Sequence, residues 1–262
     1  MSLFKKQGFQ FFIFFGIFAL IAGIAHAEVS AETQYVFNTF LFLVCGFLVM
    51  FMAAGFAMLE AGSVRSKNAA AICVKNISLY STAGLLYWLV GYNLMYGVDE
   101  GGFLGSISVW TADDMAVGGE APDYSGGYAS GSDWYFQMVF CATTASIVSG
   151  TIAERLKIWP FLIFTLVLTG FIYPIVGSWE WGGGFLDAHF AFSDFAGSTL
   201  VHSTGGWAAL AGAIVIGSRT GRFNDDGSVT SFPGSSIPLA TLGAFILWLG
   251  WFGFNGGSQL AL

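Results

Sequence analysis

The sequence predicts an all-α polytopic membrane protein, and three observations carry that reading. It is 55 % hydrophobic and only 10 % charged, with a mean hydropathy of +0.70, far from the balance of a soluble domain. Its apolar residues gather into runs of about 20 or more, the length that crosses the hydrocarbon of a bilayer. Its basic residues recur in alternate loops only, the pattern that orients a chain in a membrane. The 36 glycines and 28 phenylalanines suit helices that approach closely and fill the gaps with rings.

The elements follow in order. Residues 1–27 have the plan of a secretory signal peptide: Lys5 and Lys6 as a basic head, Phe9 to Ile24 as an apolar run, and Ala25-His26-Ala27 as a small-residue cleavage site. An uncleaved signal anchor is the alternative. Residues 28–262 then form one transmembrane domain with six expected spans: Phe37–Leu59, Ala70–Tyr96, Trp134–Ala153, Ile158–Trp179, Ser198–Gly217 and Ile237–Leu260. Every later Lys or Arg lies at one of three turn-arounds: Arg65, Lys67 and Lys75, then Arg155 and Lys157, then Arg219 and Arg222. The alternate loops, 97–133 and 180–197, hold acids and no Lys or Arg. This asymmetry predicts a multi-pass protein of the plasma (inner) membrane with its mature N-terminus outside.

Several function classes are disfavoured. Nine scattered Lys and Arg cannot neutralise a run of phosphates, so no nucleic acid partner is expected despite the overall charge of -7. There is no nucleophile–base constellation, phosphate-binding loop or metal-ligand spacing, so neither an enzyme nor a cofactor is expected. Cys45, Cys73 and Cys141 lie in or beside apolar segments and read as packing residues.

One stretch points to chemistry, D-F-A-G-S-T-L-V-H-S-T-G-G-W from Asp194 to Trp207. It carries one imidazole, His202, into an otherwise small and apolar helix. If Asp194 and His202 share that helix, the imidazole sits roughly 12 Å deeper. An ionisable group within a membrane marks a pathway for substrate, ions or protons; a histidine that bonds two helices together is the other reading. Asp194 is expected to cap the helix, its oxygens accepting backbone N–H bonds. Glu60 and Glu154 each end an apolar segment near Arg65 and Arg155, which favours pairing or capping.

Six motifs, in order, carry a family resemblance: G-F-A-M-L-E-A-G-S-V-R-S-K-N-A (Gly55–Ala69), F-Q-M-V-F-C (Phe136–Cys141), G-T-I-A-E-R (Gly150–Arg155), W-G-G-G-F-L (Trp181–Leu186), D-F-A-G-S-T-L-V-H (Asp194–His202) and W-F-G-F-N-G-G-S (Trp251–Ser258). Together they resemble the ammonium transporter (Amt/Rh) family. The resemblance implies an Amt-like bundle of eleven helices, with two inverted five-helix repeats around a narrow pore, assembled as a homotrimer. This chain would hold the first repeat and one helix of the second. The family's second pore histidine comes from a later helix; the other histidines here are His26 and His189. Alone, the chain is expected to be part of a longer polypeptide or a poor conductor.

The resemblance also implies roles. Trp181 and Ser258 would form an outer ammonium-recruiting site, by cation–π attraction and a hydroxyl acceptor. By position alone, Trp181 reads as a belt residue beside Trp179 and Trp134. Phe140 and Phe254 would be the stacked gate, His202 would line the pore beyond it, and Asp194 would give structural and electrostatic support. The implied activity is passage of ammonium or ammonia down its gradient. Ammonium sensing is the alternative, since some relatives act as receptors. A PII-type cytoplasmic regulator is a further implied partner.

Overall fold

The computed structural model describes residues 29–115 and 122–262. The signal-like residues 1–27 lie outside the described residues. Six long helices cross the bundle in alternating directions: α1 (Ala31–Ser63), α2 (Ser66–Tyr96), α3 (Ser130–Thr151), α4 (Ile158–Ser178), then after a short helix α5 (Phe185–Phe190), α6 (Ser198–Ile216) and α7 (Ile237–Gly257). The loops with acids gather at one end and the turn-arounds with basic residues at the other, here termed the acidic and basic ends. Ser30 and Ser236 begin α1 and α7, their hydroxyls accepting the N–H groups of Thr33 and Leu239.

Five of the described helices, α1, α2, α4, α6 and α7, are long and apolar enough to cross a membrane. The expected span Trp134–Ala153 is a correction in kind: it lies on α3, which is as long but less apolar. Every residue from Phe136 to Ser146 is buried, because α3 packs against α1, α2 and α6. A helix enclosed by protein needs no lipid-facing stripe. Its hydroxyls are satisfied along their own helix, Thr143 donating to the Val139 carbonyl at 2.8 Å and Ser146 to that of Ala142 at 3.1 Å.

The α1–α7 pair packs on glycines. A Cβ added to Gly253 would lie 2.6 Å from the Leu48 Cβ and 2.7 Å from the Cys45 carbonyl oxygen. One added to Gly257 would lie 2.6 Å from the Phe136 ring. Helices in lipid gain little from apolar burial against one another, so this close approach supplies the van der Waals contact that joins them. Two helices also contain π-type turns facing each other, Tyr87–Gly91 in α2 and Leu168–Ile172 in α4. In α4 the widened turn precedes Pro174, which has no N–H to donate and would crowd the carbonyl four residues back.

The basic end is tied by two carboxylates. Within the bundle Glu60 pairs with Lys75 at 3.2 Å and accepts the Ser149 hydroxyl at 2.9 Å. Nearer the basic end Glu154, its side chain covered and its backbone left-handed (φ 63), joins three turn-arounds: Arg65 at 3.0 Å, Asn68 at 2.5 Å and Arg219 at 2.5 Å. The pairing expectation holds, with different partners; Arg155 instead donates to the Gly217 carbonyl at 2.6 Å. Burial raises the Glu154 pKa, but the bonds from Arg65, Arg219 and Asn68 outweigh it and hold the group at about 2.

Gly253→Val is expected to lower the melting temperature of the detergent-solubilised protein, since overpacking costs about 1–3 kcal/mol. Gly256→Ala serves as the control, because nothing lies within 4 Å of an added Cβ there. Equal melting curves for the two variants would show that the glycine seam does not join α1 to α7.

Candidate functional site

The acidic end is organised around Asp194. Its Oδ1 accepts the backbone N–H groups of Gly197 (2.8 Å) and Ser198 (3.1 Å), and its Oδ2 those of Thr199 and Leu200 (both 2.8 Å). These include donors of the first turn of α6, which has no earlier turn to receive them. The carboxylate thus satisfies them all and lies in the favourable field of the helix N-terminus. Gly197 makes the bend possible: its φ is 86, and a Cβ there would meet Val201 at 2.5 Å and the Trp181 ring at 3.1 Å. Asp194 therefore precedes the helix rather than lying on it, so the condition attached to the depth of His202 is not met. That residue sits only in the second turn, where its backbone N–H reaches the Gly197 carbonyl at 2.9 Å in a π-type bond.

The same residue anchors its neighbours through the backbone. Trp181 Nε1 donates to the Asp194 carbonyl at 2.6 Å, and Glu180 Oε1 accepts the Asp194 N–H at 3.0 Å. Burial first, and then the charges of Asp194 and Asp187, push the Glu180 carboxyl up to about 7 against the lowering effect of that N–H bond. Trp181 is held by a side-chain bond and packs edge-on against Phe140, with centroids 6.0 Å apart. By contrast, Trp179 donates to the Phe103 carbonyl and Trp134 stacks on Trp110.

Trp181, Ser258 and Phe140 line one cavity of about 330 Å³, together with Asp133, Gln137 and Tyr92 among others. The Ser258 hydroxyl donates to the Phe254 carbonyl at 2.8 Å, which leaves its oxygen as an acceptor. Phe140 stacks on Phe254 with centroids 3.8 Å apart and planes 23° from parallel. Phe254 in turn meets the His202 ring edge-on at 5.4 Å. Trp181, the phenyl pair and His202 thus follow one another through the bundle. His202 Nδ1 lies 3.0 Å from the Gly197 carbonyl oxygen, which only accepts, so this bond requires the proton on Nδ1. His189 is exposed on α5, away from this line.

All six residues expected from the sequence fall within this constellation. Those missed are Asp133, Gln137 and Tyr92. Asp133 counted only as one more loop acid. The signal that would have found it is spacing: Asp133, Gln137 and Phe140 recur at helical intervals on one side of α3.

Asp194→Asn is expected to destabilise the acidic end by about 3 kcal/mol, since one carboxylate serves four N–H donors. Thermal unfolding of the purified protein checks this, and an unchanged midpoint would remove Asp194 from its organising role. Glu180 gives a pH signature. Its carboxyl holds a proton in the folded protein up to about 7, against 4.5 ordinarily. The folded state binds more protons across that interval, so stability falls as pH rises through it. Glu180→Gln should flatten the melting temperature over that range, and a parallel slope would show that another group is responsible.

Residues 40–262 match the Ammonium Transporter Family. The chain is 45 % identical over 248 residues to a putative ammonium transporter of Synechocystis sp., covering 92 % of this chain and 54 % of that protein. It is 44 % identical over 228 residues to the ammonium transporter Amt2 of Archaeoglobus fulgidus, covering 84 % and 47 %. Among solved structures, a Sensor Amt Protein superposes with a TM-score of 0.79 at 39 % identity, over 89 % of this chain and 57 % of that one. Mep2 of Candida albicans superposes with a TM-score of 0.71 at 26 % identity, over 90 % and 51 %. The chain spans about half the length of the curated relatives it matches. With its all-α membrane bundle and the ordered motifs along it, the chain belongs to the Ammonium Transporter Family.

Proposed function

We propose that this chain supplies the outer mouth and the first part of the path in a passive conduit for ammonium or ammonia, with the acidic end facing outside. The observation that supports this most is the juxtaposition of an indole face, a free hydroxyl oxygen and a stacked phenyl pair around one small cavity. An ammonium ion over Trp181 gains cation–π attraction of about 0.5–2 kcal/mol, and Ser258 accepts one of its N–H bonds. Such modest recognition lets the ion leave again. Sodium and potassium ions have no N–H to direct at the hydroxyl, and one indole and one oxygen replace little of their hydration shell.

Phe140 and Phe254 act as the gate. At 3.8 Å between centroids the rings leave no passage, so a solute moves on only when one ring swings away. Beyond them, the Nε2 of a neutral His202 is an acceptor for ammonia or a proton. No bond of the solute other than N–H is made or broken, so the reading is transport and not catalysis. A homotrimer and a PII-type regulator at the basic end belong to this proposal as partners. Ammonium sensing is the second reading, favoured by the likeness to the Sensor Amt Protein; it uses the same outer cavity without flux.

Uptake into proteoliposomes containing the complete polypeptide tests the reading. Trp181→Leu should raise the half-saturating ammonium concentration between about twofold and thirtyfold, and Trp134→Leu by clearly less. His202→Ala should alter conductance or selectivity where His189→Ala does not. Equal effects within either pair would return Trp181 to the belt or His202 to packing.

A further inference from the structure

The buried acid least explained by folding is Asp133. It is 8 % exposed and lies in the first turn of α3. Its carboxylate accepts the Tyr92 hydroxyl, and no backbone N–H of its own helix. Capping of α3 is performed by Asp114, whose oxygens accept the Ser130 N–H at 2.6 Å and the Ser130 hydroxyl at 2.9 Å. Nor does any base among the described residues pair with Asp133. The ion pairs among the described residues are Arg65–Glu154, Lys75–Glu60 and Arg219–Glu154, all toward the basic end. The groups beside Asp133 in the cavity, Tyr92, Tyr96 and Tyr128, are phenols, and loop 97–133 contains no Lys or Arg.

A buried carboxylate without a counter-charge is costly, and an ionisable group inside a membrane bundle is by default a candidate functional group. The cavity it lines supplies the rest. Gln137, one helical turn along α3 and 7 % exposed, lines the same space, and its Oε1 has no hydrogen-bond partner. Trp181 and Ser258 form another part of the wall. The volume of about 330 Å³ admits a small ion with a few waters. We propose that Asp133 is the charge-selecting residue of the outer cavity, its carboxylate neutralising a small ammonium cation held near Trp181, with the Gln137 carboxamide oxygen as a second acceptor. The inference rests on the ammonium reading and adds to it a formal negative charge inside the mouth. Indole and hydroxyl recognise the shape and donors of the ion; the carboxylate separates the cation from neutral ammonia and raises its local concentration.

The test uses the complete polypeptide in proteoliposomes, with ammonium chloride as the probe and two readouts. These are the transient current after an ammonium jump and the ammonium-dependent change in tryptophan fluorescence that Trp181→Phe removes. Asp133→Asn removes the charge while keeping one oxygen as an acceptor for Tyr92. It should raise the half-saturating ammonium concentration about tenfold in both readouts, with maximal current within about twofold. Asp133→Glu should restore most of the affinity. Asp114→Asn, which weakens the start of α3 without touching the cavity, should lower the melting temperature and leave half-saturation in place. Half-saturation unchanged in Asp133→Asn, or shifted equally in Asp114→Asn, would overturn the proposal. A parent protein that shows the fluorescence change without current would overturn transport while leaving the Asp133 comparison readable. One with neither signal would overturn both.

Discussion

The acidic end depends on one carboxylate. Asp194 collects four backbone N–H groups from the bend and first turn of α6. At the same time its own carbonyl holds the Trp181 indole and its own N–H is held by Glu180. In hydrocarbon there is no water to satisfy such donors, so a helix beginning inside the bundle requires an internal acceptor. Asp194 is that acceptor. Its position before the left-handed Gly197 fixes where α6 begins, and hence where His202 stands relative to Phe254. It also aims the indole across the cavity. Loss of the carboxylate would disturb Trp181, the stacked phenyl pair and His202 together.

Polarity elsewhere follows the same economy of acceptors. The central helix α3 carries hydroxyls, an amide and a carboxylate through the middle of the bundle, and its surroundings are other helices. That enclosure makes it the natural carrier of site residues: Phe140, Gln137 and Asp133 all belong to it. The outer helices, by contrast, leave large apolar residues exposed, such as Ile214 and Val215 on α6 and Trp248 and Phe252 on α7. The glycine seam between α1 and α7 brings Phe254 and Ser258 over α3, so close backbone packing is what places the Phe254 ring against Phe140.

The fold was legible in the sequence wherever length and apolarity sufficed. The spans Ile158–Trp179 and Ser198–Gly217 agree with α4 and α6 to within a residue. The kind of span at Trp134–Ala153 was not legible, because hydropathy reports contact with lipid and α3 meets protein. The short helix Phe185–Phe190 and the π-type turns left no periodic signal. Within the site, Phe140 and Phe254 could be chosen among 28 phenylalanines only through the order of motifs around them. Asp194 was read correctly as a cap; the bend at Gly197 that keeps it off the helix of His202 left no signal in the sequence. Asp133 was hidden in a loop tally because its hydrogen-bond partner, Tyr92, is distant in sequence.

The central claim is that the acidic end recognises ammonium by a combination no alkali ion satisfies: charge, N–H donors and a fit against an indole. The most direct measurement is the transient current of the complete polypeptide in proteoliposomes after equal jumps of ammonium, potassium and sodium. The account predicts a current for ammonium at least about tenfold above the other two, the size expected when one hydrogen bond to the ion is worth about 1.4 kcal/mol. Equal currents for ammonium and potassium would contradict it, and would mean that the cavity selects by charge and size alone.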